Sequence, residues 1–281
     1  MKKILVTGAT GQLGSELKVL STSYSKYDWI FADRTKATLD DLELLNSQLS
    51  EIKPDIIFNC GAYTAVDKAE SERDLAFKIN HLAVELIAKY AAKNNVKLIH
   101  ISTDYVFDGS SSTALREDAG TKPINVYGES KLAGEIACLK ENPKAIIIRT
   151  SWVYSKFGNN FVKTMKRLMQ EREEINVVND QIGSPTYAAD LAQVMIDIVE
   201  SSKWISGIYN YSNEGEISWY EFALTIKELG QYKCEVGGIP SSSYPTPAKR
   251  PSFSLLDKTK IKSIYNLEVP DYKESLKKIF I

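Results

Sequence analysis

The chain has 281 residues, 43% hydrophobic and 25% charged, which excludes a disordered, collagenous or coiled-coil protein. Its 35 Lys and Arg against 36 Asp and Glu leave a formal net charge of −1, so nothing draws nucleic acid or anionic lipid, and neither is an expected partner. Three cysteines (Cys60, Cys138, Cys234) are odd in number and lack metal-ligand spacing, which predicts buried thiols in a reducing, cytoplasmic setting.

Met1-Lys2-Lys3 is followed only by Ile4-Leu5-Val6 before Thr7-Gly8, too short a run for a secretory leader. No apolar run approaches the ~18 residues of a membrane span. β-Branched runs at 3–7, 29–32, 55–59, 97–102 and 145–149, with 175–178 a sixth, are apolar almost throughout, as expected of parallel strands covered on both faces. Between the third and fourth, residues 72–95 read as a helix whose Leu75, Ile79, Leu82, Leu86 and Tyr90 form the face turned to a sheet. Strand and helix in alternation predict an α/β fold, a Rossmann-like doubly wound parallel sheet. After residue 150 the rhythm breaks into helical patterns at 160–171, 188–201 and 218–228 and a loop at 237–254 holding Pro240, Pro245, Pro247 and Pro251. The expected division is a nucleotide-binding domain at 1–150 and a small, mainly substrate-binding part at 151–281, interleaved with the core.

The turn after the first strand reads Gly8-Ala9-Thr10-Gly11-Gln12-Leu13-Gly14. Its place between strand and helix predicts a dinucleotide site, with Gly8 for the turn, Gly11 for approach of a pyrophosphate and Gly14 for helix–strand packing. Asp33, at the end of the second strand, suits the adenosine ribose of NAD. Adjacent Arg34 suits the 2′-phosphate of NADP, so both cofactors stay open. Tyr127-Gly128-Glu129-Ser130-Lys131 puts a phenol and an ammonium on one helix face, where the charge is expected to lower the Tyr127 pKa. With 15 tyrosines in the chain, one Tyr-x-x-x-Lys is no more than chance supplies. Ser102-Thr103-Asp104-Tyr105 gives it meaning, because the carboxyl end of the fourth strand is where open α/β sheets bind ligands. Thr103, Tyr127 and Lys131 are therefore the expected catalytic group.

These motifs resemble the extended short-chain dehydrogenase/reductase superfamily and, within it, the dTDP-4-dehydrorhamnose reductases. The resemblance runs nearly end to end. It is carried by the glycine turn, Asn59–Glu70, Thr103-Asp104-Tyr105-Val106-Phe107, Tyr127 to Glu135, Arg149–Tyr154, Asn179–Thr186 and Pro245-Thr246-Pro247-Ala248-Lys249-Arg250-Pro251. It implies reduction of the C4 keto group of a dTDP-4-dehydro-6-deoxyhexose by NADPH or NADH, a step toward cell-surface polysaccharide. Tyr127 would be the proton donor, Lys131 the ribose ligand and Thr103 a hydrogen-bond donor to the reacting oxygen. Gly11, Gln12, Leu13, Ala62, Tyr63 and Thr64 would line the dinucleotide, Asp104 and Trp152 the sugar, and Arg250 the substrate diphosphate. Thr38-Leu39 stands where the family often has an Asp-hydrophobic pair at the adenine end. Glu16 matches a glutamate by which some relatives hold Mg²⁺ between subunits, Asp190 is at best a near match, and no required metal is expected. A homodimer is compatible with the resemblance. Two alternatives share the motifs: a ketoreductase or epimerase yielding another 6-deoxyhexose, and the NADP-binding regulatory subunit of methionine adenosyltransferase. His100 reads as a core histidine, His81 as a helix residue without metal-ligand company, and Trp204 and Trp219 as packing or substrate-loop residues.

Overall fold

The computed structural model describes residues 1–201 and 203–280. Six parallel strands form the central sheet: β1 (Lys2–Thr7), β2 (Tyr27–Ala32), β3 (Ile56–Asn59), β4 (Lys97–Thr103), β5 (Ile146–Thr150) and, after four strands outside it, β10 (Gly207–Asn210). Those four are β6 (Val153–Tyr154), β7 (Glu174–Val178), β8 (Ile182–Gly183) and β9 (Thr186–Tyr187), and β11 (Ile217–Ser218) and β12 (Glu235–Ile239) complete the set. The order β2-β1-β3-β4-β5-β10 reverses direction between β1 and β3, which opens a crevice beyond their carboxyl ends. Every residue of β3 and β5 is buried, as both-face coverage demands.

One face of the sheet is covered by α1 (Gln12–Ser21) and α8 (Ala188–Glu200), through Leu17, Leu191, Met195 and Ile198 packed on Ile4, Val6 and Ile148. The other is covered by α2 (Leu42–Ile52), α5 (Ala83–Lys93) and α6 (Val126–Glu141), through Leu45, Leu49, Ile87, Ala91 and Cys138 on Leu5, Ile57 and Ile147. Short helices α3 (Val66–Ala69) and α4 (Arg73–Phe77) lead into α5. A third core joins α7 (Phe161–Glu171), α9 (Trp219–Gly230) and α11 (Tyr272–Lys277) around Tyr154, Phe222 and Leu276, while α10 (Thr259–Tyr265) packs Ile261 on the sheet side. The second half of the chain thus both builds its own core and returns to the sheet through α8 and β10. No helix among the described residues is long and apolar enough to cross a membrane.

Three expectations change. The run 175–178 is a strand, but β7 pairs in parallel with β12 outside the main sheet. Its burial alternates, because only one face packs. The sixth place belongs to the short Gly207-Ile208-Tyr209-Asn210, whose parallel pairing with β5 is a long-range contact with little local pattern. The helix at 72–95 is interrupted by a π-helical segment at Lys78–Leu82. Its buried face is Ala76, Asn80, Ala83, Val84, Ile87, Ala88 and Ala91, whereas Leu75 and Leu82 are exposed. The small residues win that face because helix α6 lies close against it: a Cβ on Gly134 would stand 2.0 Å from the Asn80 carbonyl oxygen. The loop expected at 237–254 begins inside β12 and then docks, with Ile182 N–H donating to Ser252 O and Ser254 N–H to Ile182 O, both at 2.8 Å.

Candidate active site

The glycine turn is built by steric necessity. Gly8 has φ +64°, and a Cβ there would sit 2.6 Å from Gly61 Cα, so the β1 and β3 turns touch. A Cβ on Gly14 would lie 2.4 Å from Gly8 O. At Gly11 the nearest obstacle is Gly8 O at 3.2 Å, and among the described residues no side chain caps the N–H groups of α1. Uncapped N–H groups at a helix start beside a glycine that leaves the backbone bare fit a dinucleotide pyrophosphate. Gln12 ties this turn to the second half of the chain, donating to Val153 O at 3.2 Å and accepting from Asn160 Nδ2 at 2.9 Å.

Asp33 Oδ1 accepts from the Thr35 hydroxyl at 2.7 Å and its N–H at 2.9 Å, which holds the carboxyl below its usual pKa. It therefore stays ionised, as a ribose acceptor must. On the next side of the crevice, Asn80 clamps the turn after β3. Its Oδ1 accepts from Tyr63 N–H at 2.8 Å, and its Nδ2 donates to Tyr63 O and to Ser130 Oγ, each at 3.0 Å. Asn80 was not singled out by sequence reasoning. Its signal is an amide inside an apolar helix, and it lies in the π-helical segment, a feature frequent at functional sites.

Thr103 ends β4. Its hydroxyl donates to Asp104 Oδ1 at 3.0 Å and accepts from Tyr105 N–H at 3.2 Å. Asp104 is buried, and loss of solvent pushes its carboxyl up to about 6. The start of α6 is pinned from three directions: Asn125 Oδ1 accepts from Gly128 N–H at 2.7 Å, Asn125 Nδ2 donates to Lys249 O at 2.7 Å, and Val126 N–H donates to Glu70 Oε1 at 2.9 Å. This sets Tyr127 edge-on to Tyr105, with ring centres 5.5 Å apart. Burial pushes the Tyr127 phenol up to about 12, hydrogen bonding with Thr103 opposes that rise and the Asp104 charge adds to it. Lys131 donates to Ile101 O at 2.7 Å, and burial brings its ammonium down to about 8 while Glu135 holds it up. The expected lowering of the Tyr127 pKa by Lys131 is thus corrected: desolvation dominates the phenol, and the ammonium is engaged with a backbone carbonyl. Glu135 is itself buried in a pair with Arg149 (2.7 Å), which joins α6 to β5.

All the expected site residues border one cleft of about 870 Å³ except Thr38 and Arg250. Thr38 is buried, with its hydroxyl on Asp40 at 2.6 Å and its N–H on Gln48 at 3.1 Å, and leaves the cleft wall to Leu39. Arg250 places both terminal nitrogens on the Asp67 carboxylate, at 2.8 and 2.7 Å, and one of them also on Ala248 O at 2.7 Å. Its fork straps the Pro-rich segment to α3. Leu75 and Ile79 border the cleft as well, which accounts for their absence from the helix's packed face. His100 is buried in the core with Nδ1 3.0 Å from Asn59 Nδ2, and burial raises the Cys60 thiol. Glu16 accepts from Ser155 at 2.6 Å, and Asp190 accepts from Asn213 Nδ2 and Lys278 Nζ at 2.9 Å each. Among the described residues no group of three or more His, Cys, Asp and Glu is arranged to hold a metal ion.

The sequence pattern of the RmlD substrate binding domain family matches residues 1–281. The chain is 40% identical to the dTDP-4-dehydrorhamnose reductase of Aggregatibacter actinomycetemcomitans, over 99% of this chain and 98% of that one. It is also 40% identical to the dTDP-4-dehydrorhamnose reductase of Escherichia coli K12, over 98% and 96%. The crystal structure of dTDP-4-dehydrorhamnose reductase from Bacillus anthracis in complex with NADP superimposes with a TM-score of 0.95 at 40% identity, covering 100% of this chain and 99% of that one.

Proposed function

This chain belongs to the RmlD substrate binding domain family, and from that premise we propose that it reduces the C4 keto group of dTDP-4-dehydro-L-rhamnose to give dTDP-L-rhamnose, with NADPH or NADH as reductant. One observation carries the reading: the glycine turn that fits a dinucleotide and the Thr103, Tyr127 and Lys131 side chains open on the same cleft.

The nicotinamide, when bound, supplies the hydride that C4 of the sugar receives. Tyr127 hands its proton to the ketone oxygen as negative charge grows there, and with its phenol pushed up to about 12 it is fully protonated at neutral pH. Thr103, turning its one hydroxyl hydrogen from Asp104 Oδ1 to the same oxygen, spreads the developing charge. Lys131, charged below about 8, keeps two donors beyond its bond to Ile101 O for a ribose hydroxyl, and its field favours charge on the nearby oxygens. Asp33 accepts from the adenosine ribose, and Arg34 meets a 2′-phosphate. Asp104 and Trp152 contact the sugar. Residues 1–150 hold the nucleotide cofactor, and 151–281 mainly the sugar nucleotide. The three thiols favour a reducing, cytoplasmic setting, and a homodimer is the assembly that sedimentation equilibrium tests.

The decisive experiment is turnover of the dTDP-4-keto-6-deoxysugar with NADPH and with NADH, with the product identified by NMR. Oxidation of either nucleotide with formation of the rhamno-configured product is expected. No oxidation overturns the reading, and a talo-configured product moves it to a C4-epimeric ketoreductase.

A further inference from the structure

Five non-glycine residues have positive φ among the described residues. Lys53, Gln231 and Asn266 cap helices, and Asn95 follows the end of α5, positions where a left-handed residue closes off carbonyls. Trp152 does not. It lies between β5 and β6 with φ +47°, a conformation that is an outlier for so bulky a side chain. Such strain persists where the surroundings over-determine it, and it clusters at functional sites.

The surroundings of Trp152 do so. Its neighbour Ser151 donates to Ser184 O at 2.6 Å, and its own carbonyl accepts from Thr186 N–H at 3.2 Å. Behind the indole stands Gly183, where a Cβ would lie 2.9 Å from Trp152 Cζ2. Against the indole lies Trp219, stacked with ring centres 3.7 Å apart and planes 14° from parallel. Trp219 is the first residue of α9, fixed by a reciprocal cap in which Ser218 N–H donates to Glu221 Oε2 at 2.7 Å and Glu221 N–H to Ser218 Oγ at 3.1 Å. Phe161 supports it in turn, 4.6 Å away. Trp152 borders the cleft and Trp219 does not.

We propose that Trp219 is a positioning residue for the sugar: its ring holds the strained Trp152 indole in place as the apolar wall on which the C–H face and methyl group of a 6-deoxyhexose pack. This rests on the reading of the cleft as a nucleotide-sugar site. The cofactor end, built from β1 to β3, does not depend on it.

Two stacked indoles couple their ultraviolet transitions and give a far-UV circular-dichroism couplet, so the geometry can be read without turnover. The wild-type protein should show the couplet, and Trp219→Phe and Trp219→Leu should both lose it. Trp219→Leu should raise KM for the keto-sugar nucleotide about five- to tenfold, the scale of one lost aromatic stack, with the NADPH dissociation constant unchanged. Trp219→Phe, which keeps an aromatic ring against Trp152, should restore most of the KM. In the wild type, saturation with dTDP-L-rhamnose should change the couplet and NADPH should not, a readout that stands even if Trp219→Leu fails to fold. A missing wild-type couplet, a couplet indifferent to the sugar nucleotide, or a Trp219→Leu enzyme with wild-type KM overturns the proposal. If the wild type turns over no keto-sugar, the functional reading fails instead.

Discussion

Replacing Lys131 with Met should make the protein more stable while it disables the site. Lys131 is 2% exposed, and burial takes its ammonium from the ordinary 10.5 down to about 8. At pH 7 the unfolded and folded forms are both charged, and the difference in proton affinity amounts to a cost of about 3 kcal/mol to the fold. The sign follows from proton counts. Between pH 8 and 10.5 the unfolded chain binds more protons at this group than the folded one, so stability contributed by Lys131 rises with pH across that window. The cost shrinks to about 1 kcal/mol by pH 10. Met fills a similar volume without a charge, but leaves Ile101 O without the donor it now has at 2.7 Å, a loss of about 1–3 kcal/mol. The expected net change at pH 7 is a gain between about 0 and 2 kcal/mol. The assay is urea denaturation of wild type and variant at pH 7 and pH 10. Effects of ionisable groups that do not interact with Lys131 cancel in the difference between the two proteins. The variant's advantage should fall by about 2 kcal/mol between the two pH values, while kcat drops at both. An advantage independent of pH, or a variant less stable than wild type at pH 7 by more than about 1 kcal/mol, would refute the picture of a buried ammonium held against its solvation.

Tyr127→Phe removes only the phenol oxygen, so kcat should fall roughly 10²–10⁴-fold with NADPH affinity, read by fluorescence titration, nearly unchanged. Survival of most of the activity would show that another group gives the proton. Glu135→Gln leaves the buried Arg149 charge unpaired and should destabilise the fold by about 3–5 kcal/mol in thermal or urea unfolding. Because Glu135 holds the Lys131 pKa up, the alkaline limb of the kcat profile in the same variant should move to lower pH. Arg34→Ala should raise KM for NADPH more than for NADH, and equal effects on the two would show that Arg34 does not read the 2′-phosphate.

The parts of this site that can be read from the chain are those whose logic is local. Gly8, Gly11 and Gly14 follow a strand and open a helix within seven residues, and the contacts that require them, Gly8 O against Gly14 and Gly61 Cα against Gly8, are consequences of that one turn meeting its sheet. Tyr127 and Lys131 share a helix face by spacing alone. What the spacing does not carry is the environment that sets their chemistry. Tyr127 packs among Tyr63, Ala69, Ala76, Phe77 and Tyr105, brought in from other segments, so a pairwise expectation drawn from one helix points the pKa the wrong way. Arg250 is a good phosphate ligand by residue type, but its carboxylate partner lies 183 positions away in the chain, where no pattern announces it. Asn80 sits on the opposite side of the same limit. Its amide reaches the Tyr63 backbone from a π turn of its helix, and Gly134 on another helix leaves room for the Asn80 carbonyl of that turn. The sheet edge fails for a related reason: four residues of β10 contribute less pattern than β7, and the choice between them is made by the α8 crossover that returns the chain beside β5. Pattern reports which face an element buries. Which element it is buried against, and therefore whether a phenol, ammonium or guanidinium on it keeps its ordinary chemistry, is decided by packing between segments far apart in the chain.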